Sequence, residues 1–243
     1  MSADYFNESR LTDTAKGGYA RKHRHRIQLS LFGQLMAAFE YMLKDFVSQA
    51  IDACDVIDEK IRRQDWVDIG VDQVLSQKSS ETSVGSLLIH PTLGWHYAQE
   101  VNERYESLFG NSIIEESEIP TLKRLWILRH SVAHNAGFVT GPDASRFGSS
   151  DISESVVNTD EDFMQRTFDF LDPIAERAAE RCGKCLLHQW MRSFGEQSPN
   201  FERDETIYRR LKLLGTYIRS RPTDLPDIGE DDYLRDHQSI NDA

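Results

Sequence analysis

From Ile27 onward an apolar residue recurs at every third or fourth position: Leu29, Phe32, Met36, Phe39, Leu43, Phe46 and Ala50. That spacing keeps one face of an α-helix apolar and predicts a helix of roughly 25 to 30 residues. A shorter helix is expected over about 58–77. Residues 78–94, KSSETSVGSLLIHPTLG, mix Gly, Pro and polar residues and read as a connection. Helical spacing resumes from Trp95 to Phe109 through Tyr97, Val101, Tyr105 and Leu108, and Gly110-Asn111 ends it. Pro120 opens the next helix, because proline fits a first turn. Leu122, Leu125, Trp126, Leu128, Val132 and Ala133 give that helix a broad apolar surface, and Asn135 and Gly137 are stop signals. A loop rich in Gly, Ser and Asp follows, to about residue 158. A long helical stretch is expected from about Asp160 to Phe194, with Pro173 kinking or dividing it. Ile207 to Ile218 reads as a final amphipathic helix. No stretch alternates as a strand would, and no internal repeat is present. The pattern predicts an all-α fold, a helical bundle with one long antiparallel pair.

At 243 residues the chain is long enough to bury a core without disulfide staples. Its first 20 residues are polar, contain Gly17-Gly18 and read as a loose arm. Residues 21–220 read as a single helical domain. Residues 221–243 hold seven acidic residues and two prolines and read as an acidic tail. The net charge of -12 excludes a generic basic nucleic-acid coat but leaves room for one local basic groove. Arg21, Lys22, His23, Arg24, His25 and Arg26 form such a run. No segment offers the ~18 consecutive apolar residues of a membrane span. The N-terminal segment lacks the apolar centre of a secretory signal, so the cytoplasm is the expected compartment. Three cysteines, an odd number, do not build a disulfide framework. Cys182-Gly-Lys-Cys185 with His188 has some look of a zinc site. Tetrahedral zinc needs four ligands, however, Cys54 is remote in sequence, and no second Cys/His pair stands out. Free thiols, no metal and no cofactor are expected.

Three polar residues interrupt apolar faces. Arg129 falls seven residues after Leu122, in phase with it. A buried guanidinium is costly unless paired, so Arg129 has a partner, faces a cleft or sits at an interface. Glu40 shares a helix side with Met36, Leu43 and Val47 and also needs a partner. The economical expectation is that Glu40 and Arg129 meet where their helices pack, with the planar guanidinium held by the carboxylate. His134 lies in the last turn of its helix, where the dipole favours imidazolium. Arg129 and His134 are about 140° apart on an ideal helix, so they converge only if the helix distorts near its end or a second subunit contributes. His130 and His134 share a face. Two histidines at this spacing bind zinc only with further ligands, and Ser131 breaks the HExxH pattern.

The run Arg129-His130-Ser131-Val132-Ala133-His134-Asn135 resembles the R-x4-6-H motif of the HEPN superfamily. Many members of that superfamily are metal-independent ribonucleases of toxin–antitoxin, abortive-infection and RNA-processing systems. They are all-helical bundles with the motif near the C-terminal end of a later helix. Many carry an acidic residue beside an aromatic in an early long helix, as Phe39-Glu40 does here. The resemblance implies a HEPN-like antiparallel bundle with additional helices. It makes Arg129 and His134 catalytic, with Glu40 supporting Arg129 and with His130 and Asn135 in auxiliary positions. Position 130 departs from the commonest pattern, which has Asn or Asp after the arginine, and this leaves the role of His130 open.

The residue types suit the chemistry. RNA carries its own nucleophile, the 2′-hydroxyl. Histidine supplies an acid or base near neutral pH. Arginine supplies fixed donors for the developing phosphorane charge. The products would be a 2′,3′-cyclic phosphate and a 5′-hydroxyl. The basic run, through Arg21, Lys22, Arg24 and Arg26, would bind RNA. In the family the site lies in a cleft between two protomers, so a homodimer is expected, with an antitoxin or regulatory protein as a further partner and phage defence as a setting. The alternative is a non-catalytic HEPN-like module that binds a nucleotide or a partner.

Overall fold

The computed structural model describes residues 13–67, 69–70, 83–148, 153–157, 159–194 and 204–209. Among them the chain is mostly helical and holds no strand. The helices are α1 (Asp13–Ala53), α2 (Asp55–Ile61), α3 (Val84–Ile89), α4 (Ala98–Phe109), α5 (Ile119–Asn135), α6 (Gly141–Phe147) and α7 (Glu161–Phe194). Residues 204–209 are also helical.

The apolar stripe of α1 is buried as its spacing requires: Leu29, Phe32, Met36, Phe39, Leu43, Phe46 and Ala50 all lie inside. Ile27, which opens the pattern in sequence, is 42 % exposed and precedes the buried stripe. α1 itself begins at Asp13, inside the segment expected to be a loose arm. Extending a formed helix adds a hydrogen bond per residue, which here outweighs the cost of Gly17 and Gly18.

α2 stops at Ile61, far short of the expected end at 77, and turns follow through Arg63 and Gln64. Trp66 then lies against Trp95, with ring centroids 6.3 Å apart. α3 occupies part of the expected connection. The Ser83 hydroxyl accepts from the Ser86 N–H at 3.2 Å, and Asp52 Oδ1 accepts from the Gly85 N–H at 2.7 Å. A Cβ at Gly85 would sit 2.0 Å from the Ser48 carbonyl oxygen, so only glycine allows that approach. α4 ends on Gly110 at φ 81, as expected. α6 occupies part of the expected loop after α5. α7 runs through Pro173 as one helix. The expected final helix beyond residue 209 and the acidic segment 221–243 lie outside the described residues.

The chain forms two compact units. The first is Met1–Phe39 with Ser117–Leu171; the second is Glu40–Glu116 with Asp172–Ala243. In the first, Leu29, Val139, Ala144 and Val157 form a core, with Leu128 and Val132 packed against it. Phe32 meets Phe163 edge-on at 5.3 Å. In the second, Phe46, Trp95, Tyr105, Leu108, Ile174 and Leu186 are buried. Tyr105 satisfies its buried hydroxyl by donating to the Leu43 carbonyl at 3.0 Å. Asn102 fastens the turn after α4: its amide donates to the Ile114 carbonyl at 2.7 Å, and its oxygen accepts from the Ile113 and Ile114 N–H groups.

Candidate functional site

The end of α5 is fixed from two directions. Ala136 and Gly137 take the left-handed conformation at φ 51 and φ 86. The Gly137 N–H donates back to the Ser131 carbonyl at 2.9 Å, which closes the helix. Gly137 also abuts α1, since a Cβ there would lie 3.0 Å from Leu29 Cδ1. The outgoing chain then pairs with residues 154–157: Val139 N–H donates to the Ser155 carbonyl at 2.9 Å, and Val157 N–H to the Gly137 carbonyl at 2.8 Å.

The second anchor is Asp143, only 4 % exposed. Its Oδ2 accepts from the fully buried Ser131 hydroxyl at 3.3 Å and from the Thr140 hydroxyl at 3.0 Å. Its N–H donates to Thr140 Oγ1 at 3.3 Å, so Thr140 and Asp143 form a reciprocal cap on α6. Ser131, in the middle of the motif, is thus a buried tie between α5 and α6 and does not face solvent. Asp143 is the site-shaping residue that sequence reasoning passed over. Its signal was Thr140-x-x-Asp143, a capping pattern read as loop composition.

On this anchored end the motif residues separate. His130 and His134 are exposed one turn apart, with ring centroids 4.6 Å apart. Arg129 is half-buried, its guanidinium 6.0 Å from the centre of the Trp126 ring. Within its unit it has no carboxylate partner among the described residues. α5 stays helical through His134 and ends at Asn135, so the angle of about 140° between Arg129 and His134 persists. One chain therefore brings the two histidines together but does not bring Arg129 and His134 onto one face. Asn135 is the last helical residue, and Ala136, not Asn135, takes the left-handed stop.

The basic run lies on α1 of the same unit. Arg24 is exposed and paired with Glu161 at 3.8 Å, a contact of little energetic weight at the surface. Arg26 is exposed and has no ion pair among the described residues. Arg21 and Lys22 belong to the same helix. Because Leu29 touches Gly137, the helical rise sets Arg26 about 4.5 Å and Arg21 about 12 Å along the α1 axis from that contact.

Glu40 belongs to the second unit. Its ion pair is with Lys44, one turn on, at 3.2 Å, and both side chains are mostly buried (21 % and 13 % exposed). The sequence argument for a partner was sound, but the cation nearest along the helix supplies it. No group of three or more His, Cys, Asp or Glu side chains positioned to hold a metal occurs among the described residues. Cys54, Cys182 and Cys185 are free thiols. Compared with protein-family models, curated proteins and solved structures, the chain gives no match.

Proposed function

We propose that the protein is a metal-independent endoribonuclease of the HEPN type, with Arg129 and His134 as catalytic residues. The observation that carries the reading is the anchored end of α5. It presents His134, with His130 against it, to solvent, while Arg129 lacks a neutralising carboxylate in its unit. His134 would move the proton of the attacking 2′-hydroxyl or of the leaving 5′-oxygen. Arg129 would hold the phosphate and take up the charge that develops on it. Arg24 and Arg26 would meet the flanking phosphates, and His130 and Asn135 would flank the reacting group.

Because the two catalytic side chains diverge on one helix, the reading requires a homodimer in which one protomer's Arg129 works with its partner's motif. Ile27 and Leu31, one turn apart on α1, are 42 % and 48 % exposed, and Phe138 and Val156 are exposed beyond the motif. Such apolar residues suit a second copy.

The test is incubation of the purified protein with EDTA and a labelled RNA pool that includes tRNA. Arg129→Ala and His134→Ala are run beside it after each is shown to be a folded dimer. Wild type should cut and leave cyclic-phosphate ends, and neither variant should. Cutting that persists in both variants would discard this site. An inert wild type across the pool would assign the site to nucleotide or partner binding instead.

A further inference from the structure

The second unit contains an open cleft of about 450 Å³, within the range of small-molecule sites. One wall is a stripe of α7. Arg181, the adjacent Lys184 and Cys185, His188 and Arg192 follow one another by about a turn and line the cleft together. Lys60 of α2 also lines it. No carboxylate does so among the described residues, although the chain carries 40 acidic against 28 basic residues. The stripe is therefore a local concentration of positive charge that composition does not explain.

Some of that charge is occupied. Lys184 pairs with Glu180, and Lys60 donates to the Leu108 carbonyl. Arg192 and His188 are exposed and have no partner among the described residues. Arg181 is half-buried, with its Nε closed off from solvent. Arg192 and His188 are therefore the cations open to an anion in the cleft. Gln189, whose amide donates to Asp55 at 3.0 Å, also lines it, and Val56, Ile57, Leu108 and Phe109 supply an apolar surface. An inorganic anion would leave that surface unused. Asn111 lines the cleft as well and adds an amide.

We infer that this cleft binds a small organic phosphate with a flat ring, of the nucleoside monophosphate class. Its phosphate lies on His188 and Arg192, one turn apart on α7, and its ring lies on the apolar floor with Phe109. This inference does not rest on the ribonuclease reading, because no residue of the motif lines the cleft.

Cys185 gives the cleft a built-in reporter. The chain's other two cysteines, Cys54 and Cys182, are buried. The full-length protein is titrated separately with AMP, adenosine and inorganic phosphate. Binding is read by calorimetry and by the rate at which iodoacetamide labels Cys185, located by peptide mass. AMP should slow the labelling several-fold at millimolar concentration and bind more tightly than either of its parts. Arg192→Gln, at an exposed position that spares the core, should weaken AMP binding by about tenfold, one lost charge-assisted contact. His188→Gln should weaken it too. If AMP leaves both the heat and the labelling rate unchanged, the inference fails. It also fails if phosphate alone matches AMP, since the floor is then unused, or if adenosine does, since the cations are then unused. An Arg192→Gln variant that binds AMP as wild type does overturns the placement of the phosphate.

Discussion

Arg104 in the second unit and Arg129 in the first both interrupt the apolar phase of a helix, yet their surroundings differ. Arg104 is 6 % exposed and lies 5.1 Å from the centre of the Trp66 ring and 5.0 Å from that of Trp95. Glu100, one turn earlier, pairs with it at 3.1 Å. Burial lowers its guanidinium from the usual arginine range, and the Glu100 charge works against that. Arg129 is half-buried and touches one aromatic ring at the limit of a useful cation–π distance. An arginine enclosed by rings and a carboxylate is committed to the fold. One left without a carboxylate has its donors available for a phosphate.

The sharpest way to break this contrast is to remove each arginine in turn. In the ribonuclease reading, Arg129→Ala lowers RNA cleavage by roughly 10²–10³-fold. Its melting temperature should stay near that of wild type. Arg104→Ala should do the reverse, costing about 3 kcal/mol of stability in a denaturant titration, because it empties the space beside two rings. Arg104→Met should recover most of that loss by refilling the space. If Arg104→Ala melts as wild type does, the two arginines are not divided as described.

A smaller effect is expected at Asp143. Asp143→Ala leaves the Ser131 hydroxyl buried without its acceptor and removes half of the α6 cap. It should destabilise the protein by roughly 1–3 kcal/mol and loosen the motif helix, read as faster amide exchange at the end of α5. Unchanged exchange there would mean that Gly137 alone fixes the helix end.

The smallest effect concerns pH at Cys185. The Cys54 thiol donates a hydrogen bond to the Cys185 sulfur, which lowers the Cys185 thiol from its ordinary range. The Lys60 charge adds to this and burial opposes it. Cys54 is raised in return. A lowered thiol keeps its thiolate to lower pH, so the labelling of Cys185 should rise at lower pH than that of a free cysteine. Lys60→Gln should move that profile back toward higher pH. A profile that coincides with free cysteine in wild type would remove the Cys54–Cys185 bond from the account.

The buried stripe of α1 was legible residue by residue, because a long helix with one apolar face repeats its signal many times. The Gly110 stop and the Pro120 start were legible because each is a local conformational demand. α3 was not, since Gly85 is required by the Ser48 backbone and its N–H is held by Asp52, both distant in sequence. The enclosure of Arg104 and the contact of Cys54 with Cys185 are long-range in the same way. Apolar phase marked Arg129 as unusual but could not say which arginine is sealed in. In the candidate site, sequence indicated that His130 and His134 share a face. It did not reveal that Ser131, between them, is tied inward to Asp143.

The nesting of the two units bears on how the chain is made. The first unit is begun by residues up to Phe39 and resumed only at Ser117, with the opening half of the second unit between them. On a ribosome adding about 5–20 residues each second, the intervening stretch of roughly 80 residues takes roughly 4 to 16 s. For that interval Leu29 and Phe32 lack Leu128, Val132 and Phe163, which pack against them in the finished unit and are not yet made. The nascent chain thus carries an uncovered row of large apolar side chains longer than a chain with contiguous domains would. Holding chaperones would find their substrate there, and a message truncated before Ser117 would yield a fragment prone to aggregate.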